Sequence, residues 1–177
     1  MKTSSVKQMA QAALFAALIF LGTYIPKIPI MSGAGYIHFG DGFIYTAAAI
    51  LPPLYAACAG AVGGILADVL SGFALYAPAT ALIKALMAVC VSWMCRGNGF
   101  IRRMRGGHDS VRARDILILG AAFVAAGAVN IAGYFIADMM LYGVAAGIAG
   151  LLMNAIQSAA GIAVFFVAFP ILSKAFR

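Results

Sequence analysis

Six stretches of this 177-residue chain run between charged or Pro/Gly-rich breaks with almost no ionised side chain. Six membrane spans at about 20 residues each consume about 120 residues, which leaves room only for loops. Composition points the same way: 64% of residues are hydrophobic and 10% charged, against about 45–50% and about 25% in soluble domains. A soluble globular fold is excluded. No GxxxxGK[ST] phosphate loop occurs, so ATP hydrolysis by that route is excluded too, and any energy must come from a partner or an ion gradient.

The net charge of +7 is informative through its placement. Lys2 and Lys7 precede the first apolar stretch, Arg96, Arg102, Arg103, Arg105, Arg112 and Arg114 fill one polar segment (residues 96–115), and Lys174 and Arg177 close the chain. Even numbers of spans separate these regions, so the positive-inside rule places all three in the cytoplasm. The expected fold is an all-α membrane protein, one domain over residues 1–177, with six transmembrane helices, N-in/C-in. The arginines read as lipid-headgroup contacts that set orientation, because Phe100 is the lone aromatic among them and nucleic-acid binding would need more stacking surface. No nucleic-acid partner is expected.

Cys58, Cys90 and Cys95 form no CxxC pair and read as small buried hydrophobes, not as disulfide or metal ligands. No metal or cofactor is expected. The basic start and the run from Ala12 to Ile25 imitate a signal peptide. The preferred reading is an uncleaved first helix, since cleavage would leave five spans and put the basic loop out of register.

The spans are expected at 9–25, 42–51, 54–70, 79–95, 116–141 and 144–172. Span 2 is too short to cross about 30 Å of hydrocarbon, because ten residues at 1.5 Å each give about 15 Å. The preceding outside loop, Lys27 to Asp41, must therefore dip inward. Non-helical backbone at that depth is tolerated only against protein or a water-filled cavity, which puts His38 and Asp41 at a cavity rim. In span 3, Ala56, Gly60, Gly64 and Asp68 recur every four residues as a packing seam ending in a carboxylate. Asp68 is costly there and is a functional candidate. Thr80 and Lys84 share a face of span 4. Asn130, Tyr134 and Asp138 share a face of span 5, and Asn154, Gln157 and Ser158 a face of span 6.

Converted to depth at 1.5 Å per residue, Lys84 lies about 9 Å, Asn130 about 16 Å and Asn154 about 15 Å below the outer turns. Asp68, Tyr134 and Asp138 are shallower, and the inner halves are almost wholly apolar. This is an outward-facing cup with an apolar floor. A channel or proton relay would need polar lining through the full depth. Tyr76 or Tyr134 can stack on a bound ring, while Asp68, Lys84, Asn130, Tyr134, Asp138, Asn154 and Gln157 supply hydrogen bonds. The structural alternative makes Lys84 an ion-pair partner of Asp68 or Asp138, and the amides of Asn130, Asn154 and Gln157 interhelical links. Span 1 carries small residues at Ala12, Ala13, Ala16 and Ala17, a surface that another helix can approach closely.

The string from Tyr36 to Tyr45 (YIHFGDGFIY), the string from Gly63 to Gly72 (GGILADVLSG), and Tyr76 to Thr80 with Ile83 and Lys84 resemble the substrate-binding S components of energy-coupling factor (ECF) vitamin transporters. The AxxxA pattern of span 1 resembles their docking surface. The resemblance extends over essentially the whole chain. It implies a non-enzymatic subunit in the bacterial plasma membrane that captures a vitamin or precursor from outside, with a pyridoxine- or hydroxymethylpyrimidine-like heterocycle favoured. It further implies a transmembrane T component and two cytoplasmic ATPases as partners, and toppling in the membrane to release substrate. The alternatives are a stand-alone small-molecule carrier or exporter and, less favoured for want of a DxxD-type carboxylate pair, a membrane-embedded enzyme.

Overall fold

The computed structural model describes residues 3–26, 28–29, 36–96, 103 and 112–176. Helix α1 (Thr3–Tyr24) leads through a two-residue antiparallel ladder, β1 (Ile28–Pro29) on β2 (Tyr36–Ile37), into the short helix α2 (Gly40–Ile50). Then come α3 (Pro53–Leu70), a 3-10 turn (Ala74–Tyr76), α4 (Ala77–Arg96), α5 (Ala113–Tyr142) and α6 (Val144–Ala175). Five of these helices are long and apolar enough to cross a membrane, the 3-10 turn counting with α4. The second has 11 residues, about 16 Å, and is not. The expected helices are all present, several extended by a few residues, because polar residues such as Ser4, Ser5 and Lys7 are compatible with helix once apolar neighbours nucleate it. Residues 27 and 30–35 of the expected outside loop, and most of the basic segment 96–115, lie outside the described residues.

The turns follow from local chemistry. Pro52 and Pro53 end α2 and start α3, with Pro53 in the first helical turn where its missing N–H is not needed. A single residue, Gly143 at φ 93°, separates α5 from α6, a conformation that side chains other than glycine rarely adopt.

Helix α2 is sheathed by α1, α3, α4 and α6, and every residue from Gly40 to Ala49 except Phe43 is buried. Its small residues make this possible. A Cβ on Gly42 would collide with Val164, and one on Gly161 of α6 would sit 2.8 Å from Asp41 Cβ. The seam expected on α3 packs on α4: a Cβ on Gly60 would lie 3.0 Å from the Lys84 carbonyl oxygen, and one on Gly64 would lie 2.8 Å from Thr80 Cγ2. Ala56 and Asp68 of the same stripe are buried with them.

The core at the chain-terminus end is apolar, built on Phe15, Tyr45, Met87, Val91, Phe123, Phe165 and Phe169. Phe165 and Phe169 stack at 5.1 Å. The three cysteines are unbridged, but Cys58 is exposed, not buried as expected; its place on α3 faces away from the bundle. At the basic end, Asp115 accepts the Arg112 backbone N–H at 2.9 Å and is bound by Arg103 through Nε (2.7 Å) and Nη2. At least one arginine of the basic segment is thus spent on tying that segment to the start of α5.

Candidate binding site

A cavity of about 490 Å3 opens at the end of the bundle that holds the α3–α4 and α5–α6 turns. Eight of the ten residues expected in a binding site line it: His38, Asp68, Tyr76, Lys84, Tyr134, Asp138, Asn154 and Gln157. The remaining two, Asp41 and Asn130, lie directly beneath and are sealed from solvent.

The floor is a polar cluster centred on Lys84. Its ammonium donates to Asp41 Oδ1 at 2.7 Å and to Asn130 Oδ1 at 3.0 Å, and stands 5.2 Å from the centre of the Tyr134 ring. Asn130 in turn donates to Ser158 Oγ at 3.2 Å and to the Asn154 carbonyl at 3.4 Å. Two expectations are corrected here. The carboxylate partner of Lys84 is Asp41, not Asp68 or Asp138, and Asp41 sits under the cavity, not at its rim. The cause is the short α2: its first turn begins deep in the bundle, at the level of the middle of α4.

Gln157 works as a clamp on the entering chain. Its Oε1 accepts the His38 backbone N–H at 2.9 Å, and its Nε2 donates to the His38 carbonyl at 2.9 Å and to Asp41 Oδ2 at 3.2 Å. Its side chain lines the cavity but its donors are engaged by protein. The Gly40 N–H points at His38 Nδ1 at 3.2 Å, which makes Nδ1 an acceptor and leaves the ring proton on Nε2. Burial pushes the His38 imidazole down to about 4, with Asp41 opposing and Lys84 reinforcing the shift, so the ring is neutral at neutral pH.

The walls are aromatic. Tyr76 lies 6.5 Å from Tyr134 and 6.0 Å from Tyr142, with Phe73 edge-on to it at 6.5 Å. The Tyr76 hydroxyl donates to Asp138 Oδ1 at 2.5 Å, and Thr80 Oγ1 is 3.0 Å from the Tyr134 hydroxyl. Gly150 leaves the space that Asp138 occupies, since a Cβ there would stand 2.7 Å from Oδ2.

Phe73, Thr23 and Tyr142 also line the cavity and were not expected. Tyr142 carried a legible signal: it continues the four-residue stripe of Asn130, Tyr134 and Asp138 by one more step. Thr23 carried none, because its place depends on how α1 crosses α2. The expected docking patch on α1 divides. Ala13 and Ala17 are exposed, whereas Ala12 (9% exposed) and Ala16 (8%) are packed inside, where the Ala16 carbonyl lies 2.8 Å from a Cβ placed on Gly63. At 100° per residue Ala12 and Ala16 lie about 40° apart, as do Ala13 and Ala17, and the two pairs are offset by about 100°, so one pair turns inward while the other stays exposed.

In comparisons with known proteins, the chain is 32% identical over 140 residues to a Pyrococcus woesei protein described as "Uncharacterized protein in gap 3'region", covering 79% of this chain and 84% of that one. The profile of the family described as "ECF-type riboflavin transporter, S component" matches residues 3–174. With five apolar helices long enough to cross a membrane, a cavity between them and that match over nearly its whole length, the chain belongs to the ECF-type riboflavin transporter S component family, multi-pass membrane subunits of vitamin uptake.

Proposed function

We propose that this chain is the substrate-capture subunit of an ECF-type importer, holding a vitamin or vitamin-precursor heterocycle in the cavity above Lys84. The observation that carries this reading is the combination of aromatic walls with a polar floor and an apolar core beneath. An aromatic ring would stack on Tyr76 or Tyr134. Lys84 has three ammonium hydrogens and donates two of them to Asp41 and Asn130, so the third is available to ligand. Asp68, Asp138 and Asn154 supply further polar contacts, while Asp41, Asn130, His38 and Gln157 hold these groups in place. A volume of about 490 Å3 falls within the about 300–1,000 Å3 of small-molecule pockets.

In this reading α2 completes a six-helix, N-in/C-in topology by dipping from the outer surface, and the cavity faces outward. Both chain ends and the basic segment face the cytoplasm, in a bacterial plasma membrane. Ala13 and Ala17 dock a transmembrane T component, and two cytoplasmic ATPases power delivery. The substrate favoured from the sequence is a pyridoxine- or hydroxymethylpyrimidine-like ring. Riboflavin is the second candidate, favoured by the description of the matching family. Native mass spectrometry of gently purified protein tests this: a co-purified heterocycle of one of these masses is expected. A preparation that neither carries nor takes up any of them, by titration calorimetry, refutes the reading.

A further inference from the structure

The floor of the cavity and its mouth differ in charge. At the floor Lys84 is matched by Asp41 at 2.7 Å. At the mouth stands Asp138, half-buried near the end of α5 and lining the cavity. Asn130, to which Lys84 is bonded, lies two turns of α5 deeper, and among the described residues no lysine or arginine forms an ion pair with Asp138. The Tyr76 hydroxyl donates to Asp138 Oδ1 at 2.5 Å. A phenol donor orients the carboxylate and leaves its charge in place. The other oxygen, Oδ2, lies over Gly150, 2.7 Å from where a Cβ would stand, and the missing side chain is what leaves room for it.

Aromatic rings share this mouth. Phe73, Tyr76, Tyr134 and Tyr142 all line the cavity, and the other three are centred 6.0–6.5 Å from Tyr76. The face of such a ring is negative and attracts a cation. Tyr134 already shows this, with Lys84 Nζ 5.2 Å from its ring centre. Among the described lining residues Lys84 is the one cation, Asp68 adds a further carboxyl, and the His38 imidazole is held neutral by its burial. The mouth therefore combines an unmatched carboxylate with aromatic faces. A positive group on a ligand complements both, in a cavity where little water screens the attraction.

We propose that the cavity takes a cationic heterocycle, with its ammonium or positively charged ring at Asp138 and the aromatic mouth, and its hydrogen-bond acceptors toward Lys84. Asp138 then determines both the charge of the ligand and the way round it binds. This rests on reading the cavity as a vitamin site.

The experiment uses the full chain in detergent and two pairs of ligands that differ in one group: pyridoxamine against pyridoxine, and 4-amino-5-aminomethyl-2-methylpyrimidine against 4-amino-5-hydroxymethyl-2-methylpyrimidine. In each pair an ammonium replaces a hydroxyl of similar size near neutral pH. In calorimetric titrations of the wild type, the ammonium member of the pair that binds is expected to bind at least about tenfold more tightly, equivalent to about 1.4 kcal/mol. Asp138→Asn, with folding checked by its melting temperature, is expected to remove that preference. Asp138→Ser is expected to do the same, so the result does not hang on one folded variant. A hydroxyl member that binds as tightly as its ammonium partner, a preference that survives in the Asp138 variants, or binding of neutral riboflavin with neither pair overturns this inference and leaves vitamin capture standing. If the wild type binds no member of either pair and no riboflavin, the vitamin-site reading fails and this inference with it.

Discussion

Lys84 Nζ stands 2.7 Å from Asp41 Oδ1 across the contact between α4 and α2, with 5% of the lysine side chain and none of the aspartate side chain exposed. A pair sealed to that degree is stabilising only while both members are present. Removing one leaves an uncompensated buried charge, at a cost of about 3–5 kcal/mol.

Lys84→Met is therefore expected to lower the thermal stability of the detergent-purified protein sharply. Adding Asp41→Asn should restore it, because the orphaned charge is gone, whereas adding Asp68→Asn or Asp138→Asn should not. If the third ammonium hydrogen serves ligand, the rescued Lys84→Met/Asp41→Asn protein will still bind at least about tenfold more weakly, about 1.4 kcal/mol. Wild-type affinity in that double variant, measured by calorimetry, would remove Lys84 from the ligand contacts.

The divided alanine patch separates docking from folding. Ala13→Trp or Ala17→Trp should abolish uptake in cells that supply the partner subunits while leaving ligand binding to the isolated chain intact, because both positions face outward. Ala16→Trp should instead destabilise the isolated chain by about 1–3 kcal/mol through overpacking. Loss of binding in the Ala13 or Ala17 variants would count against a docking role.

Gln157 makes the His38 backbone part of the cavity wall. Gln157→Ala strips the part-buried His38 N–H and C=O of their partners, so a loss of about 1 kcal/mol is expected, with faster hydrogen exchange at the His38 amide. An unchanged exchange rate there would show that the clamp does not hold the segment.

His38 carries a pH dependence whose direction follows from its burial. Its folded-state value lies near 4, below the ordinary 6.5, so the unfolded chain binds the extra proton between those values. The contribution of neutral His38 to stability is fully present above about pH 6.5 and is lost as pH falls toward about 4. The melting temperature of wild type should fall more steeply over that window than that of His38→Gln. Parallel curves would dismiss the effect.

Reconstitution addresses the energy source. In liposomes the chain alone should bind ligand without accumulating it, with ATP or with an ion gradient, until T component and ATPase subunits are added. Accumulation under an ion gradient alone would favour an independent carrier.

Constant helix rise put Asn130 and Asn154 at neighbouring levels and Lys84 about 7 Å shallower; in the fold the lysine ammonium nevertheless reaches Asn130, which bonds the Asn154 carbonyl, so the three meet in one cluster. The shared faces of Asn130, Tyr134 and Asp138, and of Ala56, Gly60, Gly64 and Asp68, were legible for the same reason, since four residues nearly complete a helical turn. What periodicity cannot encode is the rotation of one helix against another or the level at which a short helix begins. Those depend on where small residues such as Gly42 and Gly161 let backbones approach. Tertiary packing alone therefore decided that Lys84 pairs with Asp41, that Gln157 spends its amide on His38, and that Ala12 and Ala16 turn inward while Ala13 and Ala17 stay exposed. Packing also left Asp68 Oδ2 without a partner, because the lysine that might have served it was already committed to a carboxylate 43 positions earlier in the chain.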